Sequence, residues 1–341
     1  METNTTAAAT GARIGDALAM PAHWYYDTQE LYEALGSVDS YRPPPPMHPG
    51  SILWRSRYEP TEPDFDILGD QRRFWGRRGV HYHQNLLPGE NTLNVKLMNL
   101  ALALVDATGG YDRSEFIARY RAFMLNPAAH HETYVEECHR GFFENLRRGV
   151  PAERAAVKEK HIGGMVSVVP LYARLRDHGF DHSAARQAVH RHVSVTHAGP
   201  AVEGAVDTLV QVAGEIMDRG LEGPSGMGTL RETLADHLSR QDLEFLRGPI
   251  ARLARNEEPA QVIGRTYSPA CYLDDAMPAT FYFALRYADR PDQGFIENVM
   301  VGGDNCHRGA VLGALFGLAG GLSVFPPQWI TGLVDNPDRA A

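Results

Sequence analysis

Glycines 309, 313 and 317 recur every four residues inside a run, 309–325, that carries no charged residue. That spacing puts all three on one helical face, where side chains of hydrogen let another helix approach closely. Gly11 and Gly15 repeat the spacing near the other end of the chain, in a stretch of good helix formers closed by Pro21. Both stretches therefore predict buried, tightly packed helices. The run 309–325 has 17 residues, short of the roughly 20 that span a bilayer, so a buried helix is expected rather than a membrane span. It is preceded by Gly302-Gly303-Asp304-Asn305-Cys306-His307-Arg308. Asp304 falls at the helix start, where a carboxylate is electrostatically favoured and Asp caps well. It is either an ordinary cap or the acidic entrance of a site.

The chain has 341 residues, enough for a sizeable core. Its formal charge of -9 argues against a nucleic-acid binder working through bulk electrostatics, though not against a basic pocket for a small anion. Cys138, Cys271 and Cys306 are three in number and lack zinc spacing. With no basic-then-apolar leader over residues 1–10, they suggest reduced thiols in a cytoplasmic protein.

Residues 1–10 are small and polar and read as a flexible or peripheral tail, as do 326–341. After Pro21, His23-Trp24-Tyr25-Tyr26-Asp27 is an aromatic cluster that either joins the core or stacks on a ligand. Residues 38–89 read as a long loop insertion. Pro43 to Pro46 favours an extended stretch, and the aromatic content argues for a lid or substrate-facing loop over disorder. Arg55, Arg77 and Arg78 are candidates for a pyrophosphate, or simply surface arginines; His81 and His83 make a weak His-x-His ligand pair. A helix is expected from about Leu93 to Thr108, with Glu90 in its first turn, then helices over 112–125, 132–148 and 201–217. A linker is expected at 219–228 and helices near 229–238 and 241–255. His130, His131 and His197 read as residues at helix starts. Asp274 and Asp275 read as a capping cluster, with Pro278 in the first turn.

Two of these segments carry a resemblance. Gly15-Asp16-Ala17-Leu18 followed by Pro21, and Gly302-Gly303-Asp304 followed by Gly309-Ala310-Val311-Leu312-Gly313, resemble the two signatures of the ADP-ribosylglycohydrolase family, which includes the dinitrogenase-reductase-activating glycohydrolases. The family usually reads Gly-Gly-Asp-Thr-Asp-Thr where this chain has Asn305, Cys306 and His307 in the last three places. Before the Leu93 helix the family reads Thr-Asp-Asp-Thr; here Gly89, Glu90, Asn91 and Thr92 stand instead.

The resemblance implies an all-α fold, a compact orthogonal multi-helix bundle over 11–325, with the site between helix starts. It implies a hydrolase cleaving an N- or O-ribosyl bond of an ADP-ribose conjugate or a related nucleotide such as an NAD-derived metabolite. The alternative is a non-catalytic ADP-ribose or nucleotide binding protein on the same scaffold. Glu90 and Asp304 are implied as catalytic groups. Asp16, His23, Trp24, Asn91, Thr92, Gly303 and His307 are expected around the substrate. Asp304, Glu90 and Asn91 are expected around Mg²⁺. Because Asn91 and Cys306 each remove a negative charge from the family's pattern, one ion, a different metal or none is expected rather than two.

Overall fold

The computed structural model describes residues 4–60, 62–220 and 223–334. Among them the regular secondary structure is helical, and the β content is confined to isolated bridges such as Val157 with His197. The all-α expectation holds.

The two glycine stripes meet each other. The first helix, Asn4–Ala19, lies along Asn305–Gly320, and every residue of the latter is buried. A Cβ on Gly313 would stand 1.9 Å from the Gly11 carbonyl oxygen, and one on Gly15 would stand 2.0 Å from that of Gly309. Gly317 continues the contact, its Cβ position falling 2.0 Å from the Ala7 oxygen. This corrects the expectation of a flexible tail over 1–10: Thr5 to Thr10 are helical, and apart from half-buried Thr6 they are buried, because Ala7 and Ala8 extend the close-contact face. Residues 1–3 lie outside the described residues, as do 335–341. The start of the second expected tail is also anchored. Pro327–Gly332 forms a short helix, and Trp329 is buried with its indole N–H on the Asp39 carbonyl.

The remaining helices pack around this pair. Leu93–Thr108 forms as expected. The next-but-one helix begins later than the apolar spacing suggests, at Glu137 rather than 132. Residues 130–136 are instead extended, because the carboxylates of Glu132 and Glu136 reach inward to polar partners. The expected linker at 219–228 is mostly helix, Gly223–Arg240. Pro278 lies inside Leu273–Arg286 rather than in its first turn, and Asp274 is an exposed partner of Lys160 at 2.5 Å.

The described residues of 38–89 contain no α-helix, only 3-10 turns at Pro63–Phe65 and Gly69–Phe74. The loop is held by polar contacts. His48 pairs with the His23 carbonyl at 3.1 Å, His81 with the Pro21 carbonyl at 3.1 Å, and the Trp75 indole donates to the Thr133 carbonyl at 2.8 Å. These fasten the loop over the turn that follows the first helix.

The glycine contact sets a paired expectation for stability. Gly313→Ala forces two backbones apart and should lower unfolding free energy by about 3 kcal/mol. Gly228→Ala, where an added Cβ meets nothing within 4 Å in a helix, should raise it by about 0.5–1 kcal/mol. Urea titration of the two variants checks both signs.

Candidate active site

Asp304 sits at the start of the Asn305–Gly320 helix, yet its carboxylate makes no capping hydrogen bond. Both oxygens are committed sideways. Oδ1 pairs with His23 Nε2 at 3.1 Å and with His307 Nδ1 at 2.9 Å; Oδ2 is 3.1 Å from the same His307 nitrogen. All three residues are buried. The geometry comes from local backbone chemistry. Gly302 and Gly303 have φ of 66° and 69°, and a Cβ on either would fall within 2.2 Å of the Tyr25 or Pro269 carbonyl oxygen. Only glycine permits this double left-handed turn in that space. Trp24 is held opposite with φ 63°, an uncommon conformation for an aromatic residue, pinned by its N–H on the Gly303 carbonyl at 2.9 Å. Its indole stacks on His23 with centroids 3.9 Å apart.

A continuous buried polar chain runs through this centre. Glu132 Oε2 pairs with His83 Nδ1 at 2.6 Å, and His83 Nε2 with His23 Nδ1 at 2.8 Å. On the far side of Asp304, His307 Nε2 meets the Asn94 amide at 2.8 Å. That amide also binds Glu136 Oε2 at 2.5 Å and His139 Nε2 at 3.2 Å. Glu136 lies 3.8 Å from His307 Nε2.

Burial and charge pull these groups apart in proton affinity. Burial pushes the Asp304 carboxyl up, but the His307 charge and the bonds from His23 and His307 outweigh it, leaving it well below the ordinary range. Burial drives His23 down to about 3, only partly opposed by Asp304. For His307 burial acts downward too, yet Asp304 and Glu136 push it up to about 10.

Beside this chain lies a cavity of about 370 Å³, lined by Trp24, Tyr82, Tyr134, Tyr272, Arg55 and Glu136 among others. Trp24 meets Tyr82 and Tyr134 edge to face at 4.7 and 5.2 Å. Glu136 both lines the cavity and binds Asn94 beside His307.

The other sequence-predicted residues have different partners. Glu90 accepts from Lys96 at 2.5 Å and from the Leu87 N–H at 2.9 Å. Asn91 turns its amide nitrogen to Asp16 Oδ2 at 2.9 Å and to the Arg13 carbonyl. Thr92 binds Asp16 through N–H at 2.7 Å and hydroxyl at 2.6 Å. Asp16 is thus surrounded by protein donors; burial raises its carboxyl despite them. Asn91 and Thr92 tie Asp16 of the first helix to the start of Leu93–Thr108, and neither Asp16 nor Glu90 joins Asp304, His23 and His307 as a close donor group. Arg55 lines the cavity, Arg78 stacks on Trp54 at 3.9 Å, and Arg77 is exposed. His131 is exposed, while His130 and His197 are buried apart from the Asp304 group.

Glu132, Glu136, Asn94 and His139 went unassigned in the sequence, and His83 drew only a weak His-x-His signal. Glu132 follows directly on His130-His131, so that polar run was the trace of the site.

The protein's kinship follows from comparison with known proteins. A family model for ADP-ribosylglycohydrolase matches residues 2–341. The chain belongs to the ADP-ribosylglycohydrolase family, whose members are metal-dependent glycosidases acting on ADP-ribose conjugates. Among solved structures it is similar to an "ADP-ribosylglycohydrolase-related protein complex", at 18% identity and a TM-score of 0.57 over 98% of this chain and 93% of that one. That likeness shows the shared fold. No curated protein matches the chain.

The donor set does not suit the Mg²⁺ that the resemblance implied. Mg²⁺ takes oxygen ligands, and here Glu90 is paired with Lys96, the Asp16 carboxylate accepts from Asn91 and Thr92, and Asp304 faces two imidazoles.

Burial elsewhere gives a pH expectation. His192 and His197 are held neutral, burial pushing each down to about 3. The unfolded chain takes up protons below about pH 6.5 while the folded one does not, so stability falls as pH drops from about 6.5 toward 3. Each ring contributes about 1.4 kcal/mol per pH unit in that window. Urea unfolding between pH 7.5 and 5 should show a slope reduced by that amount in His192→Phe.

Proposed function

We propose that the cavity beside Asp304 binds an ADP-ribose conjugate or a related nucleotide and that its N- or O-ribosyl bond is hydrolysed there. The observation that carries this reading is Glu136, the carboxylate that lines the cavity and also joins the buried Asp304–His307 chain. Cleavage of such a bond passes through an oxocarbenium-like state and needs a carboxylate to activate water on one face of the sugar. Glu136 is positioned for that role by the Asn94 amide nitrogen, which donates to its Oε2. Asp304 acts one step back, fixing the His307 ring through Nδ1. Trp24, Tyr82, Tyr134 and Tyr272 offer faces for a base, and Arg55 a cation for phosphate. At about 370 Å³ the cavity is at the small end for ligand sites and suits a ribose with its base, the remainder extending outward.

The resemblance assigned catalysis to Glu90 and Asp304; the geometry favours Glu136, with Asp304 as its support. Among the described residues no helix is long and apolar enough to cross a membrane. All three cysteines are free, which supports a cytoplasmic setting.

Release of ADP-ribose from an ADP-ribosylated peptide, followed by chromatography, tests the proposal. Glu136→Gln should lower kcat about 10²–10⁴-fold with little change in KM, and Glu90→Gln should cost far less. Calorimetric binding of ADP-ribose without turnover by the unsubstituted protein would favour the non-catalytic binding reading. Absence of both binding and turnover would reject the site.

A further inference from the structure

We propose that His23, Asp304 and His307 form a single-ion site for a first-row transition-metal dication, Zn²⁺ foremost, in place of a Mg²⁺ centre. The inference rests on the donor geometry and not on the hydrolytic reading.

One donor atom from each of the three residues lies within 4.8 Å of the others, all buried. His23 Nε2 is 3.1 Å and His307 Nδ1 2.9 Å from Asp304 Oδ1. Zinc bonds of about 2.1 Å hold neighbouring donors about 3.0–3.4 Å apart, so these separations need little adjustment. Two imidazoles and a carboxylate are borderline donors suited to zinc, and they leave a coordination position open.

The supporting hydrogen bonds give a second argument. Without an ion, the three contacts joining Glu132, His83, His23 and Asp304 require three bridging protons, and two neutral imidazoles supply two. A metal on His23 Nε2 removes that demand. His23 Nδ1–H then donates to His83 Nε2, and His83 Nδ1–H donates to Glu132, with every ring neutral. His23 is thus held through its far nitrogen by an imidazole that itself leans on the Glu132 carboxylate, a one-residue extension of the outer hydrogen bonding that orients metal-ligating histidines. At His307 the far nitrogen Nε2 has the Asn94 amide nitrogen at 2.8 Å and the Glu136 carboxylate at 3.8 Å, so its support is looser than that of His23.

A second buried group, Glu136, Cys138 and His139, competes for the assignment. Its His139 nitrogens are already engaged by Tyr120 and Asn94, at 2.9 and 3.2 Å. Burial pushes the Cys138 thiol well up. This group therefore resists a cation.

The test is equilibrium dialysis of chelator-stripped full-length protein against Zn²⁺ with millimolar Mg²⁺ present, read by elemental analysis. One zinc per chain is expected. His307→Asn and Asp304→Asn should abolish retention, and His83→Ala should weaken it about 10–100-fold. Cys138→Ser should retain it. Circular dichroism checks folding of each variant. Co²⁺ added to the unsubstituted protein should give visible d–d bands without a thiolate charge-transfer band, a readout independent of any substitution. No retained zinc, displacement by Mg²⁺, loss in Cys138→Ser, or retention in folded Asp304→Asn overturns the proposal.

Discussion

Backbone-to-backbone contact between the first helix and Asn305–Gly320 is the constraint from which the centre of this molecule follows. Gly11, Gly15, Gly309 and Gly313 bring the two axes so close that any side chain would collide with a carbonyl oxygen. The first helix ends at Ala19, and a 3-10 turn, Met20–Ala22, carries the chain directly to His23. The partner helix begins at Asp304. With the axes fixed, the end of one helix lies beside the start of the other. Reciprocal bonds of Trp24 N–H to Gly303 and Gly303 N–H to Tyr25, at 2.9 and 2.6 Å, lock the junction. Packing and site are therefore one feature: a change that separates the helices also separates His23 from Asp304.

The junction is electrically unusual. Arg308 is fully buried, and among the described residues its guanidinium bonds neutral groups: the Asn298 side chain, the Asn298 carbonyl and the Gly302 carbonyl. Burial lowers it to about 10, with Asp304 opposing that shift. The arginine thus adds positive potential at a helix start that is already positive, which helps keep Asp304 ionised. By bonding the Gly302 carbonyl it also braces the left-handed turn. One cation serves both the backbone and the field.

The sequence disclosed helical character well, because apolar residues three and four apart carry that information locally. It disclosed the glycine stripes for the same reason. Helix starts were less legible. Glu132 and Glu136 leave the helix pattern to satisfy buried histidine and amide groups, and nothing within 130–140 indicates those distant partners. Thr5 to Thr10 read as tail because Thr and Ala are neutral in composition; the opposing Gly317 face is what makes Ala7 and Ala8 core residues. Within the site, Asp304, His23 and His307 could be named individually from the signatures. Their meeting with His83 and Glu132 depends on the loop 38–89 folding back across the Pro21 turn, a contact between segments about sixty residues apart that no local pattern encodes.

The departures at Asn91, Cys306 and His307 become one coordinated change once Asp16 is considered. Asp16 accepts from the Asn91 amide and twice from Thr92, so its carboxylate is satisfied by protein donors. Cys306 faces the Asp16 backbone carbonyl at 3.5 Å. A carboxylate at 306 would lie against that oxygen and near the Asp16 anion, with no water to separate them. A buried thiol there stays neutral, burial holding it well up, and packs as a small apolar group. The aspartate at 91 that the resemblance implies would likewise repel Asp16, whereas an amide donates to it. With Asn91 and Cys306 neutral, Asp16 becomes a brace between helices. Negative charge is then concentrated at Asp304, where His307, absent from the family's pattern, meets it one helical turn on. With neutral residues at 91 and 306 and an imidazole at 307, the buried polar centre lies at the junction of His23 with Asp304.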